Sequence, residues 1–258
     1  MVLSRLLPRA RKRRPPARRV TEVDWQAMPR SRSRSLLLAL LAFGLGVGAY
    51  HSARAVRRTL STPPIPKPAA FRHAAFVERA KVGGPNCRVL FLGDSLTEYW
   101  SDYADWDTDL APRGAVNFGL AYDTTAVMYR RLSDGELDGL KPQLVVLMVG
   151  TNDFGLPESP PPPEQVADGI GQIVDLIRMK CPGAKILLMG ILPRADRPGL
   201  NEPIQACNRL LSTTPNVTFL GIGSEFGDGS NPRYMPDRLH LSREGYRVWL
   251  EGIRPYLP

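Results

Sequence analysis

From residue 88 onward, short apolar runs alternate with longer amphipathic segments, and this alternation leaves few folds open to the chain. The apolar runs, which we predict to be strands, are Arg88–Gly93, Ala115–Phe118, Leu144–Gly150, Lys185–Gly190 and Val217–Leu220. The amphipathic segments, which we predict to be helices, are Thr125–Leu132, Glu164–Lys180, Leu200–Ser212 and Ser242–Pro255. Strands separated by helices pair in parallel, and the helices cover both faces of the sheet. The sequence therefore predicts an α/β domain with a mainly parallel sheet.

The basic residues are concentrated ahead of this domain. Residues 1–72 hold 16 of the 34 Lys and Arg residues but 2 of the 25 Asp and Glu residues. The rest of the chain is net acidic, so the formal charge of +9 describes a tail and not a face of the folded part. Residues 1–35, a basic N-terminal segment, would by themselves suit a nucleic-acid-binding arm. Because of the apolar segment that follows them, we expect no nucleic-acid partner.

An apolar run without charges, Leu36–Tyr50, comes directly after the second Arg cluster. Its fifteen residues are few for a bilayer-spanning helix, which needs about 20. Small residues at Ala53 and Ala55 offer a site of the A-x-A kind that signal peptidase accepts. We therefore predict that residues 36–53 are a signal peptide or a membrane anchor, and both interpretations stay open. Either one exports the domain, because the basic excess keeps the N-terminus in the cytoplasm.

The expected location is thus periplasmic or otherwise extracytoplasmic, with the protein anchored in the membrane or secreted after cleavage. Translation from Met28 in place of Met1 would give the signal a basic region of ordinary length, so either start remains open. Residues 54–72 contain four prolines in the stretch STPPIPKP and are predicted to be an extended linker. Residues 73–258 are predicted to be the folded domain. The three cysteines, Cys87, Cys181 and Cys207, lack metal-ligand spacing and are predicted to be core residues.

Ser95 follows the first predicted strand in the stretch RVLFLGDSLTEYW. The Gly-Asp-Ser turn would place its hydroxyl at the carboxyl edge of the sheet, where sites in open α/β folds gather. A simpler interpretation is that Asp94 or Ser95 only caps a helix, a role that both residue types favour. A catalytic role requires a base, because a serine hydroxyl is a poor nucleophile until a neutral imidazole takes its proton.

His240 is the candidate for that base. Of the three histidines, His51 lies at the end of the apolar segment and His73 lies before the first strand. Asp237 precedes His240 by three residues in DRLHLS, and a carboxylate at that spacing can hold the ring and favour its charged form. Alternatively, His240 only precedes the last helix, with Ser242 as the helix cap.

Two further strand ends offer donors for the oxyanion that forms when an ester carbonyl is attacked. Gly119 ends the stretch NFG, where the missing Cβ lets a backbone N–H approach closely, and Asn152 in GTND carries a side-chain amide. Either stretch alone could be an ordinary turn, since Asn, Gly and Asp are common turn residues.

Together, GDS, NFG, GTND and DRLH resemble the four sequence blocks of the SGNH (GDSL) hydrolase superfamily. The stretches VNFGLAYDTT, RLSDGELDGLKPQLVVLMVGTND, AKILLMGILPR and DRLHLSREGY are similar, in order and spacing, to the catalytic subunits of platelet-activating-factor acetylhydrolase IB and their bacterial relatives. The resemblance covers nearly all of residues 85–257 and leaves out the basic tail, the apolar segment and the linker.

The resemblance implies a catalytic triad of Ser95 as nucleophile, His240 as general base and acid, and Asp237 as its orienting partner. It implies an oxyanion hole made by the N–H groups of Ser95 and Gly119 and the amide of Asn152. The implied fold is a three-layer α/β/α, flavodoxin-like domain with a five-stranded parallel sheet. No metal or organic cofactor is implied, and because relatives pair as dimers a homodimer is compatible, without identifiable interface residues.

One position departs from the pattern. Tyr122 stands where close relatives commonly have glycine, so its ring either shapes the acyl or leaving-group pocket or is an ordinary surface tyrosine. The function expected from the resemblance is a serine esterase that hydrolyses short-chain, above all acetyl, O-esters of a lipid or carbohydrate. Two alternatives stay open: an O-acyltransferase that uses the same site, and a binding module without catalytic activity.

Overall fold

The computed structural model describes residues 63–83, 86–103 and 105–258, which belong to one compact unit. The predicted basic segment (1–35) and apolar segment (36–53) lie outside the described residues, as do residues 54–62 of the predicted linker. Within the described ranges, no helix is both long enough and apolar enough to cross a membrane.

Five parallel strands form one sheet. They are β1 (Val89–Gly93), β2 (Ala115–Gly119), β3 (Leu144–Met148), β4 (Lys185–Met189) and β5 (Thr218–Leu220), and their order across the sheet is β2-β1-β3-β4-β5. In register, Gly93 of β1 pairs with Gly119 of β2 and with Met148 of β3, so β2, β1 and β3 end at the same level. This strand order is the flavodoxin-like one, in which ligands bind where neighbouring connections leave the sheet in opposite directions. The predicted five-stranded parallel sheet is confirmed.

Seven α-helices connect and flank the strands in the described part of the chain. They are α1 (Lys67–Gly83), α2 (Ser95–Glu98), α3 (Thr125–Arg131), α4 (Thr151–Gly155), α5 (Pro163–Lys180), α6 (Asn201–Leu211) and α7 (Arg243–Ile253). Shorter 3-10 or π turns occupy Tyr99–Asp102, Trp106–Leu110, Ala111–Arg113, Leu132–Glu136, Gly223–Phe226 and Arg254–Tyr256. The four predicted helices are present as α3, α5, α6 and α7, with ends within two residues of the prediction.

The two faces of the sheet pack into two separate hydrophobic cores, because successive strand side chains point to opposite faces. In β1, Leu90 and Leu92 belong to the core that α1, α3, α5 and α6 cover. Val89 and Phe91 belong to the other core, which is rich in aromatic residues and is covered by α7. The domain therefore has three layers, α/β/α, as predicted.

Helix α1 begins at Lys67, so the predicted boundary between linker and domain at residue 73 falls inside a helix. Residues 67–72 are helical and not extended. The ring of Phe76 stacks on Phe118 of β2 at 4.5 Å between centroids, and Nδ1 of His73 lies 2.8 Å from Oε1 of the buried Glu136. Prolines are tolerated in the first turn of a helix, so the proline content does not prevent α1 from starting at Lys67. The contacts of Phe76 and His73 stabilise the helical conformation, where the proline content predicted an extended chain.

All three cysteines are buried in the core that α1, α3, α5 and α6 cover, and none forms a disulfide. Burial raises the pKa of Cys87 and Cys181 to about 11 and that of Cys207 to about 12, so all three remain neutral thiols at physiological pH. The prediction that they are core residues is confirmed.

Candidate active site

Ser95 lies on the turn that leads from β1 into α2. Asp94 is the N-cap of α2, and its Oδ1 accepts a hydrogen bond of 3.0 Å from the N–H of Leu96. Gly93 leaves no room for a side chain, because a Cβ there would lie 1.8 Å from Oγ1 of Thr97. The capping role proposed as the simpler interpretation thus belongs to Asp94. Ser95, the first helical residue, is 6% exposed, and its Oγ faces the carboxyl edge of the sheet.

The carboxylate of Asp94 is fully buried, and its Oδ2 has no hydrogen-bond partner among the described residues. Burial raises the pKa of Asp94 from its ordinary value of 3.8 to about 7. The N–H of Leu96 opposes this rise, and the neighbouring carboxylates of Asp123 and Asp153 add to it. A carboxyl group that is only partly ionised at neutral pH therefore lies directly beside Ser95.

The loop before α7 brings His240 to Ser95. Nε2 of His240 lies 2.9 Å from Oγ of Ser95, and Nδ1 lies 2.7 Å from Oδ2 of Asp237. A ring nitrogen that faces a carboxylate carries the proton, which leaves Nε2 as the acceptor for the serine hydroxyl. Ser242, predicted as the cap of the last helix, does cap α7, because its Oγ accepts from the N–H of Gly245. His240 therefore does not cap α7.

Asp237 is fixed by its own loop. Its Oδ1 accepts hydrogen bonds of 3.0 Å from the backbone N–H groups of both Leu239 and His240. Partial burial raises the pKa of Asp237, but the hydrogen bonds from the His240 ring and from the two N–H groups outweigh it and leave that pKa below its ordinary value. The carboxylate is therefore ionised at neutral pH and can stabilise a positively charged imidazole ring.

The structure does not leave the Gly119 N–H available as an oxyanion donor, so that prediction needs correction. This N–H donates a hydrogen bond of 2.7 Å to Oδ1 of Asn117, whose Nδ2 donates to the carbonyl of Thr97 at 2.7 Å. A Cβ on Gly119 would lie 2.3 Å from the backbone N of Glu98. The glycine is thus required for close packing of β2 against α2.

Asn152 lies buried on α4, at the carboxyl end of β3, as predicted. Its Nδ2 donates a hydrogen bond of 2.9 Å to the backbone carbonyl of Asp123. A side-chain amide has two N–H donors, so this bond fixes the group and leaves one hydrogen for a ligand.

The turn that precedes α3 contains a donor that the sequence analysis missed. Tyr122 has a φ of 66°, in the left-handed region that favours glycine, and its side chain is 75% exposed. Its backbone N–H meets no acceptor among the described residues, and it adjoins Asp123, which holds the Asn152 amide. The N–H of Ser95 is likewise free of intrahelical bonding, as expected for a first helical residue. The sequence did contain a signal for the Tyr122 donor, because Tyr122 stands where close relatives commonly have glycine.

A buried ionic network lies beneath this turn. Nε of Arg131 lies 2.6 Å from Oδ2 of Asp123, and Arg131 also forms an ion pair with Glu136, all three residues being buried. Burial raises the pKa of Asp123 to about 6, with Arg131 opposing the rise, so Asp123 is ionised at neutral pH. The sequence analysis missed this network, because charged residues in an amphipathic segment are ordinarily on its solvent face.

Two cavities flank the site. A cavity of about 360 Å³ is lined in part by α1 and by Tyr122. An open trough of about 550 Å³ is lined by Tyr99, Asp102, Tyr103, Met235, Asp237 and His240. Within the described ranges, no cluster of three or more His, Cys, Asp or Glu residues is arranged to hold a metal ion.

Comparison with known proteins identifies the family. Residues 91–248 match the GDSL-like lipase/acylhydrolase family. The chain is 37% identical over 183 residues to platelet-activating factor acetylhydrolase IB subunit alpha2 of Gallus gallus, a match that covers 68% of this chain and 77% of that protein. It is 37% identical over 182 residues to the alpha1 subunit of Homo sapiens, with 67% of this chain and 76% of that protein covered.

Solved structures share the fold. A GDSL-like lipase from Bacteroides thetaiotaomicron VPI-5482 superposes with a TM-score of 0.56 at 22% identity, covering 74% of this chain and 96% of that chain. The acetyl xylan esterase AlAXEase superposes with a TM-score of 0.52 at 17% identity, covering 66% and 99%. At such identities these two structures show only that the fold is shared. The sequence matches to the family and to the acetylhydrolase subunits also show the family and the class of enzyme. The chain belongs to the GDSL-like lipase/acylhydrolase family and is an ester hydrolase.

Proposed function

We propose that the protein is a serine esterase that removes short acyl groups, above all acetyl, from O-esters of a lipid or carbohydrate. The observation that carries this proposal is the chain of contacts from Asp237 to His240 to Ser95, with distances of 2.7 Å and 2.9 Å. The acetyl preference is supported by the names of the curated relatives, which are acetylhydrolase subunits.

In the proposed mechanism, Nε2 of His240 takes the hydroxyl proton of Ser95 as Oγ attacks the ester carbonyl carbon. The imidazolium that results is stabilised by the ionised carboxylate of Asp237. When the tetrahedral intermediate collapses, the C–O bond to the alcohol breaks and Nε2 gives its proton to the departing alcohol oxygen. A water molecule then attacks the acylated serine by the same route, with His240 as the base, and releases the acid.

We propose that the oxyanion is bound by the backbone N–H groups of Ser95 and Tyr122 and by the side-chain amide of Asn152. This assignment replaces Gly119, whose N–H is already used by Asn117. It is supported by the bond from Asn152 to the carbonyl of Asp123, which holds the amide next to the Tyr122 peptide. Preorganised donors of this kind typically contribute roughly 10²–10³ each in turnover.

The proposal is tested with Ser95→Ala on p-nitrophenyl acetate. We expect kcat to fall by roughly 10³-fold or more, because no other group replaces the nucleophile. The matched control is Ser212→Ala, at the C-terminal end of α6 and far from the triad in the fold, which we expect to retain full activity. Equal rates for Ser95→Ala and the wild-type protein would contradict the mechanism and favour a binding module. Product analysis with added sugar or glycerol acceptors separates hydrolysis from acyl transfer.

We further propose that residues 36–53 export the domain, as a cleaved signal or as a membrane anchor. The basic flank before an apolar run supports this proposal. Cell fractionation of the full chain tests it: recovery in the membrane or the exported fraction is expected, and recovery in the cytosolic fraction alone would refute it.

A further inference from the structure

The open trough beside His240 is the part of the site that the proposed mechanism leaves unassigned. Its volume of about 550 Å³ lies within the range of small-molecule sites. The turn Tyr99–Asp102, which follows α2 directly, supplies one wall, and the loop that carries Asp237 and His240 supplies the other. The trough therefore adjoins the proton donor of the reaction.

Its position identifies which half of an ester it contacts. If His240 acts as proposed, its Nε2 protonates the oxygen of the departing alcohol, so the alcohol must lie on the His240 side of Ser95. The ring of Tyr99 lies on that side, with its centroid 5.0 Å from that of His240. The acyl group lies on the other side of the carbonyl, away from the trough. This step rests on the proposed function.

The charged residues that line the trough restrict the net charge of the alcohol that it can bind. Of the described residues that line it, Asp102 and Asp237 are carboxylates and none is Lys or Arg. Burial, with the nearby carboxylates of Glu98, Asp102 and Asp237 and the phenol of Tyr122, raises the pKa of Tyr99, which keeps its hydroxyl protonated. An anionic alcohol, such as a glycerol phosphate, would be repelled by the two carboxylates. A cationic alcohol would be attracted by Asp102, but it would also lie beside the imidazolium and oppose the charge that forms on His240.

The remaining features suit a polar ring. Tyr103 is held in place, since its hydroxyl donates to the carbonyl of Leu241 at 3.2 Å and its ring lies 4.7 Å from that of Tyr246. The faces of Tyr99 and Tyr103 offer apolar contact to the C–H groups of a sugar. Asp102 is exposed and makes no hydrogen bond or ion pair with another described residue, so both of its oxygens can accept from hydroxyl groups.

We infer that this trough is the leaving-alcohol subsite and that it takes a neutral, polyhydroxylated ring, so that the substrate is an acylated sugar. Tyr99 and Tyr103 contact the ring, and Asp102 accepts hydrogen bonds from hydroxyl groups next to the ester.

The experiment compares kcat/KM of the full chain on four acetyl esters: an acetylated methyl xyloside, acetylglycerol phosphate, acetylcholine and p-nitrophenyl acetate. We expect the neutral sugar ester to exceed the anionic and cationic esters by about tenfold or more. Asp102→Ala should lower kcat/KM on the sugar ester about tenfold further than on p-nitrophenyl acetate, because the sugar loses hydrogen bonds to a charged acceptor that p-nitrophenyl acetate has no hydroxyl group to make. Asp107→Ala, an exposed carboxylate five residues further on that does not line the trough, is the matched control and should change neither.

Two results would overturn the inference: equal or better turnover of acetylglycerol phosphate or acetylcholine, or an equal loss on the sugar ester and on p-nitrophenyl acetate in Asp102→Ala. Failure of the proposed function is a different result, namely full activity of Ser95→Ala on p-nitrophenyl acetate. Asp102→Asn adds a check on charge, because it keeps an acceptor and should raise the relative turnover of acetylglycerol phosphate.

Discussion

Nε of Arg131 lies 2.6 Å from Oδ2 of Asp123, and neither side chain reaches solvent. The same guanidinium donates to the carbonyl of Phe118 at 2.8 Å and forms an ion pair with Glu136, which in turn faces His73 of α1. Arg131 therefore joins the end of β2 to the turn on which Tyr122 lies. The oxyanion donors proposed above depend on a buried arginine that contacts no substrate.

Replacement of Arg131 by methionine should destabilise the domain strongly. It would leave Asp123 and Glu136 buried without the guanidinium that they share, and loss of one partner of a buried ion pair costs about 3–5 kcal/mol. Equilibrium urea unfolding measures this loss. The control is Arg130→Met at the preceding residue of α3, whose ion pair with Asp134 is exposed at the surface and is worth at most about 1 kcal/mol. Equal midpoints for the two variants would show that the buried network does not stabilise the fold.

Helix α1 offers a second test with two phenylalanines on the same helix. Phe76 is 6% exposed and stacks on Phe118, whereas Phe71 is 82% exposed. Phe76→Ala should therefore lower the free energy of unfolding by about 3 kcal/mol, and Phe71→Ala by less than about 0.5 kcal/mol. Chemical denaturation of both variants gives the comparison. Similar small losses would mean that α1 does not pack on the sheet in solution.

The sheet was predictable because parallel strands buried on both faces appear as continuous apolar runs between turn residues. The contact between Ser95 and His240 was predictable because Ser95 follows a strand at the carboxyl edge of the sheet and a serine nucleophile requires a base. Asp237 was predictable from its place three residues before His240. Helix α1 was not, since the buried positions Phe76 and Ala80 are too few to show a helical period beside a run of prolines. The hydrogen-bond acceptor of the Gly119 N–H was not predictable either. The direction of a backbone donor is set by tertiary packing, and here the acceptor is the Asn117 side chain.

Tyr122 should be strained by its own backbone. Its φ of 66° costs a residue with a side chain roughly 1 kcal/mol relative to glycine, and its exposed ring contributes little burial to offset that cost. Tyr122→Gly should therefore raise the melting temperature by about 2 °C. Tyr122→Ala removes the ring but keeps the strain, so it should leave the melting temperature nearly unchanged. Equal melting temperatures for Tyr122→Gly and Tyr122→Ala would show that the turn is not strained.

The same pair of variants measures the role of the ring in specificity. Tyr122 lines the 360 Å³ cavity together with Leu120 and Arg72, so removal of the ring widens the space next to the proposed oxyanion hole. Both variants should raise the ratio of kcat/KM for p-nitrophenyl butyrate to that for p-nitrophenyl acetate. An unchanged ratio in both would mean that the ring is an ordinary surface tyrosine.

Asp94 makes the stability of the domain depend on pH. Burial holds its pKa at about 7 in the folded state, while in the unfolded state the ordinary value of 3.8 applies. Between these two values the folded state binds more protons at Asp94 than the unfolded state, so the contribution of Asp94 to stability is fully present below about pH 3.8 and is lost as the pH rises to about 7. Asp94→Asn keeps a side-chain oxygen for the Leu96 cap and has no proton to lose.

We therefore expect the wild-type melting temperature to fall more between pH 5 and pH 8 than that of Asp94→Asn, by about 5 °C, since each 1 kcal/mol shifts a domain of this size by about 2–4 °C. Thermal unfolding followed by circular dichroism at the two pH values gives the difference. Asp107→Asn, which removes an exposed carboxylate, is the control and should follow the wild-type protein. If Asp94→Asn and the wild-type protein lose the same number of degrees, Asp94 is already ionised in the folded state, and the turn beside Ser95 must then stabilise that charge through contacts other than the Leu96 N–H.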